Sequence, residues 1–210
     1  MKEFDVYLFD FDGTLVDSYE SLVLVFSGAY SKVGVKVPDG YVLRLMRCPL
    51  VAGYDELNAP KDEESVKIFT DEILRLLDDE EVLRATKSYI EVEEVLKELV
   101  KRGKKLGIVT SNNKKHVCDV LKFLNIDKSL FSVIIGNEET KKHKPNPDPI
   151  YKGLEKLGVS KKGVCYVGDA LDDMNSALNA KVTPILVDRN DEYDGECEIE
   201  ITNLKELLNY

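Results

Sequence analysis

Five short apolar runs constrain this chain more than any other feature: Val6 to Phe9, Leu106 to Val109, Val133 to Ile135, Val164 to Val167 and Ile185 to Val187. Runs of this length without alternation read as strands buried on both faces. The first stops abruptly at Asp10, so a buried strand delivers acidic side chains at its C-terminal end. Segments of helical period lie between the later runs. Val92, Val95, Leu96, Leu99 and Val100 make one apolar face, with Gly103 placed to end that helix. Val117, Val120, Leu121 and Leu124 make a second, and Ile150, Tyr151, Leu154 and Leu157 a third, followed by Gly158. Asn203 and Glu206 have capping-box spacing for a last short helix. Strand and helix alternate from Lys105 onward, which predicts a doubly wound, mostly parallel α/β sheet with helices on both faces.

Residues 16–87 break that alternation. Leu22, Val25, Phe26, Ala29, Tyr30 and Val33 have helical spacing, with Asp17 and Glu20 spaced as a cap before them and Gly34 after. Val66, Phe69, Ile73, Leu76 and Leu77 repeat the pattern, and Pro38, Pro49 and Pro60 punctuate the middle. The expected organisation is an α/β core of residues 1–15 and 88–210 with an inserted helical cap domain at 16–87. Such an insertion, placed after the first strand, is expected to act as a lid over Asp10.

Composition narrows the chemistry. The chain has 29 Lys and Arg against 39 Asp and Glu, a net charge of −10. A basic nucleic-acid surface is therefore disfavoured, and an anionic substrate must be held by local cations or a metal. Two histidines, His116 and His143, exclude a multi-His metal centre. Four scattered cysteines without a CxxC pair read as reduced thiols of a cytoplasmic protein. No apolar run approaches the ~18 residues of a membrane span. No protein partner can be inferred.

Four clusters each sit at the end of an apolar strand-like run: Asp10 to Ser18, Ile108 to Asn112, Lys141 to Asp148, and Tyr166 to Asp173. Ligands of open parallel sheets bind at the carboxyl ends of the strands. Asp10, Asp12, Asp169 and Asp173 gathered there would repel one another and raise their pKa values. A hard divalent cation resolves this, and Mg2+ is the usual choice when phosphate is the other ligand. Carboxylate, hydroxyl, ammonium and Mg2+ around one point describe a phosphoryl-transfer site.

The stretches DFDGTLVDS, the strand ending in Thr110, KPNPDP and GDALDD resemble, in order, the four motifs of the haloacid dehalogenase superfamily. Their spacing is similar to its phosphoglycolate phosphatase and β-phosphoglucomutase branch, with a helical cap between the first two motifs. The resemblance implies that Asp10 is the nucleophile forming an aspartyl-phosphate, and that Asp12 is the general acid and base. It implies that Thr110 hydrogen-bonds the transferring phosphoryl and that Lys144 neutralises charge. Asp169, Asp10 and the Asp12 carbonyl would hold Mg2+, with Asp173 ligating it or supporting its waters. Two positions depart from the pattern: Asp172 adds a carboxylate to the metal loop, and Ala180-Lys181 stands where Ala-Gly is common.

Taken alone, Thr110 or Ser111 would be read as helix N-cap or turn residues, and Lys141, Lys142 and His143 as a solvated run. Ser111 and Asn112 are candidate substrate contacts. So are Arg44 and Arg47, three apart on a possible helix from Tyr41 to Cys48 and suited to grip a carboxylate or second phosphate. The expected activity is Mg2+-dependent hydrolysis of a small phosphorylated metabolite. A sugar phosphomutase and a non-catalytic binding module are the rivals. A dehalogenase is disfavoured, because its reaction needs neither Asp12 nor Mg2+.

Overall fold

The run Val6–Phe9 forms β1, buried at every position, in a computed structural model that describes residues 2–42, 45, 54, 57–189 and 197–210. The chain divides into two units, Met1–Val16 with Ser88–Tyr210, and Asp17–Lys87. In the first unit β1 is joined by β4 (Lys105–Val109), β5 (Phe131–Ile135), β6 (Val164–Gly168), β7 (Thr183–Val187) and β8 (Glu200–Ile201). They form one sheet in the order β5-β4-β1-β6-β7-β8, with every pairing parallel. From β1 the chain builds outward through β4 and β5, then returns to the other side of β1 for β6. The order therefore reverses at β1, and the crevice at its carboxyl end is where such sheets bind ligands.

The pleat sends alternate β1 side chains to opposite faces. Val6 and Leu8 join a core cluster with Ile150, Leu154, Ala177 and Ala180, from α6 (Asp148–Leu157) and α7 (Leu171–Ala180). Tyr7 and Phe9 stack at 6.3 Å on the other side, and Tyr7 also meets Phe4 edge-on. Helix α4 (Val92–Lys101) packs against β4 and a 3-10 helix at Leu204–Asn209. The second unit holds α1 (Tyr19–Lys32), α2 (Glu63–Leu77) and α3 (Glu80–Ala85). Its core centres on Phe69, whose ring lies 4.8 Å from Tyr30 and 4.7 Å from Tyr54. The short strands β2 (Val16–Asp17) and β3 (Lys87–Ser88) pair as a separate sheet in the two connecting segments.

Several expectations shift in detail. The capping box at Asn203 and Glu206 forms, but the helix it starts is 3-10 rather than α. The N-cap of α1 is Ser18, not Asp17: Asp17 ends β2, and its Oδ1 accepts the Tyr19 N–H at 3.2 Å. Strand β8 escaped the sequence reading because two residues carry no periodicity. Cys118, Cys165 and Cys197 are free thiols. No helix among the described residues is long and apolar enough to cross a membrane.

The departure at Lys181 has a local meaning. Helix α6 closes with Gly158 in the left-handed region (φ 64°), a conformation glycine adopts without strain. Helix α7 closes the same way, but on the exposed Lys181 (φ 61°, ψ 40°). A side chain there costs about 1–2 kcal/mol, offset in part by the extra freedom glycine has when unfolded. Lys181→Gly is expected to raise stability by up to ~1 kcal/mol, read as a higher urea midpoint at unchanged slope. A lower midpoint would contradict the strain.

Candidate active site

In-register pairing of Phe9 with Ile108 on one side and Val167 on the other sets the residues beyond these strands at one level of the sheet. Asp10 follows β1 directly, and its N–H donates to the Val167 carbonyl at 2.8 Å. Thr110 follows β4, and Asp169 follows β6. Three segments remote in sequence thus end beside one another because parallel strands end together.

Lys144 enters this cluster from the loop before α6. Its Nζ donates to Asp10 Oδ1 at 2.7 Å and to Asp173 Oδ1 at 2.6 Å, with all three side chains at most 10% exposed. The loop is tied to α7: Ser176 Oγ donates to the Asn146 carbonyl at 2.8 Å, and Asn179 Nδ2 to that of Pro145 at 3.0 Å. Asp173 is held on every side. Its Oδ2 accepts the Ala170 N–H at 3.1 Å, and the Tyr166 hydroxyl stands 3.2 Å from Oδ1 while donating to the Val109 carbonyl at 2.7 Å. Tyr166 lay inside a noted cluster but carried no role in the sequence reading, since its apolar neighbours mark it only as core.

Asp169 Oδ1 accepts the Thr14 hydroxyl at 3.0 Å. Gly13, at φ +78°, brings its loop against the same carboxylate: a Cβ there would lie 2.3 Å from Asp169 Oδ2. Only glycine fits that approach. Asp12 is half-buried, and its Oδ2 accepts from Asn112 Nδ2 at 3.2 Å. Asn112 Oδ1 takes the Asn113 N–H at 2.9 Å, which fixes which end of the amide faces Asp12. Asn112 therefore reaches the carboxylate of Asp12. Thr110, 4% exposed, accepts the Asn112 N–H on its Oγ1 at 3.0 Å. The α5 (Lys114–Phe123) N-cap is Asn113, so neither Thr110 nor the exposed Ser111 caps it. Arg44 and Arg47 lie outside the described residues.

Three carboxylates around one ammonium leave an excess of buried negative charge. Burial lifts Asp10 well above the usual carboxylate range, Lys144 pulls it back, and Asp173 and Asp169 push it up again. Burial with the nearby Asp173 raises Asp169 to about 7, against the hydrogen bond from Thr14. Burial works to lower Lys144, but Asp10 and Asp173 outweigh it and hold the ammonium charged. Half-buried Asp172 is raised by desolvation and by Asp173. Carboxylate oxygens of Asp10, Asp169 and Asp173 lie within 4.8 Å of one another. Hard oxygen donors carrying uncompensated negative charge fit a divalent cation. Since both Asp173 oxygens already serve other groups, Asp10 and Asp169 are the carboxylates freer to ligate.

A parallel sheet with a buried carboxylate cluster at its switch point and one lysine among the acids defines a Rossmann-like α/β protein whose acids and cation meet at the strand ends. A family profile for haloacid dehalogenase-like hydrolases matches residues 7–187, and the chain belongs to that family. A Caldanaerobacter subterraneus protein named as a pyrophosphatase, PpaX, is 34% identical over 86% of this chain and 80% of its own length. The phosphoglycolate phosphatase of Pasteurella multocida is 30% identical over 86% of this chain and 84% of that one. A haloacid dehalogenase-like hydrolase from Bacteroides fragilis superposes with a TM-score of 0.89 over 98% of this chain and 100% of that one, at 25% identity. The protein is thus an enzyme of this family, and the binding-module rival falls away.

The raised carboxylates have a measurable consequence. A folded-state value near 7 for Asp169 lies above its unfolded value of about 4. In the cation-free protein the group's contribution is therefore lost as pH rises through that window. A divalent cation reverses this, because it binds the ionised form and must displace a proton at low pH. Millimolar Mg2+ should raise the melting temperature clearly more at pH 8 than at pH 5.5. An equal rise at both pH values would argue against Asp169 as a ligand.

Proposed function

We propose that this protein is a Mg2+-dependent phosphatase that hydrolyses a small phosphorylated metabolite through a phosphoenzyme on Asp10. The observation that carries the reading is Lys144, buried between Asp10 and Asp173 with Asp169 alongside. A nucleophilic carboxylate must be ionised to attack, and it must approach an anionic ester. Burial opposes both, so a charged ammonium at 2.7 Å is the counterweight the chemistry requires.

In this reading Asp10 attacks phosphorus, forming an acyl phosphate bond as the ester P–O bond breaks. Asp12, oriented by Asn112, gives its proton to the departing oxygen. It then takes a proton from the water that attacks the phosphoenzyme, which releases inorganic phosphate and regenerates Asp10. Thr110 lines the strand end beside Asp10 and donates to the transferring group. Asp10, Asp169 and the Asp12 carbonyl would hold Mg2+, whose contribution when bound is stabilisation of charge on the phosphoryl oxygens. Asp173 keeps Lys144 in place. The helical unit, inserted between Val16 and Ser88, is the cap that chooses the substrate. The names of the relatives point to phosphoglycolate and pyrophosphate as first substrates to try.

A phosphate-release screen with these two compounds, sugar monophosphates and 4-nitrophenyl phosphate tests the proposal. EDTA should abolish turnover and Mg2+ restore it; full activity in a verified metal-free sample would overturn the metal assignment. Asp10→Asn should remove both turnover and the covalent intermediate. Asp12→Asn should slow alkyl phosphates by roughly 10²–10⁴ and aryl phosphates less, because a better leaving group needs less protonation. A phosphorylated Asp10→Asn enzyme, or equal losses on both ester types for Asp12→Asn, would refute these roles.

A further inference from the structure

Arg189 lies at the end of β7, outside every motif that marks the site. Its guanidinium nonetheless reaches the first motif. Nη2 donates to the Thr14 carbonyl at 3.2 Å, and Nη1 donates to Glu91 at 2.6 Å. The plane of the group sits 3.6 Å from the centre of the Tyr89 ring. The Arg189 and Glu91 side chains are 14% and 3% exposed. Burial would raise Glu91, but hydrogen bonds from backbone and from Arg189 hold it low, so the pair stays ionised. Among the described residues the Arg189 Nε is buried without a partner. The group is thus held by its two terminal nitrogens and by stacking, a fixed fork rather than a loose surface charge.

Thr14 is the link to the site. It is fully buried; its carbonyl takes Arg189, and its hydroxyl donates to Asp169 Oδ1. It also stands two residues before β2, whereas Tyr89 and Glu91 lie one and three residues after β3. Arg189 therefore grips the chain both where it leaves the α/β unit and where it returns. We infer that Arg189 is a positioning residue for the metal loop: through Thr14 it holds the Asp169 carboxylate in the orientation that ligates the cation. The inference rests on the metal reading above. Groups that orient metal ligands typically change affinity by about 10–100-fold when removed.

Calorimetric titration of Mg2+ into wild type, Arg189→Lys, Arg189→Ala, Glu91→Gln and Asp169→Ala tests it. A lysine keeps the charge and its pairing with Glu91 but cannot also reach the Thr14 carbonyl in the same geometry. Arg189→Lys is expected to weaken Mg2+ binding roughly ten-fold, with kcat at saturating Mg2+ little changed. Glu91→Gln should shift the affinity in the same direction by less. A merely structural arginine would lower the melting temperature and leave Mg2+ affinity alone. If Arg189→Ala does not fold, the lysine variant decides. Wild-type affinity in folded Arg189→Lys would overturn the Arg189 role alone. No Mg2+ uptake by the wild type would overturn the metal reading, and this inference with it.

Discussion

Everything at this site depends on the buried contact of Lys144 with Asp10 and Asp173. Removing charges from water is costly, and it is tolerated only where geometry and extra hydrogen bonds are good. The protein meets that condition by fixing each partner from a different element. Asp10 ends the central strand. Asp173 lies in the first turn of α7, gripped by the Ala170 N–H and close to the Tyr166 hydroxyl. Lys144 rides on a loop fastened to α7 through Ser176 and Asn179. Removing either acid would leave the ammonium buried with half its compensation, whereas the loop geometry would persist.

The same contact separates the surroundings of the acids. Lys144 neutralises part of the charge, yet three carboxylates exceed one ammonium, and the remainder appears as raised values on Asp10 and Asp169. That excess is what suits the pocket to a divalent cation. Asp12 stands apart: it is half-buried, on the far side of Gly13 from the Thr14 link to Asp169, and its partner is the Asn112 amide. Asp12 has a neutral partner, whereas Asp10 is paired with the Lys144 ammonium. Two acids two residues apart thus meet different surroundings.

Much of the core was legible in the sequence, because buried parallel strands must be apolar throughout and their helices must carry an apolar stripe. The four strands after Lys105 and the helices at Val92–Lys101, Lys114–Phe123 and Asp148–Leu157 follow that logic. Where the reading slipped, the local signal was absent or contested. β8 is two residues long. Asp17 had the composition of a cap but was taken by strand pairing.

Sequence alone determined which chemistry is available: four acids, one lysine and a glycine turn at the ends of strands, with too few histidines for other centres. Those are matters of residue type and short-range spacing, which the chain carries in linear order. Only the tertiary structure decided how they are shared out. It gave Asp173 to Lys144, Asn112 to Asp12, and Thr14 to both Asp169 and Arg189. Separations of 29, 100, 155 and 175 residues divide those partners. No periodicity spans such distances. They close only because parallel strands end at one edge of the sheet, and burial there forces each charged or polar group to find a partner.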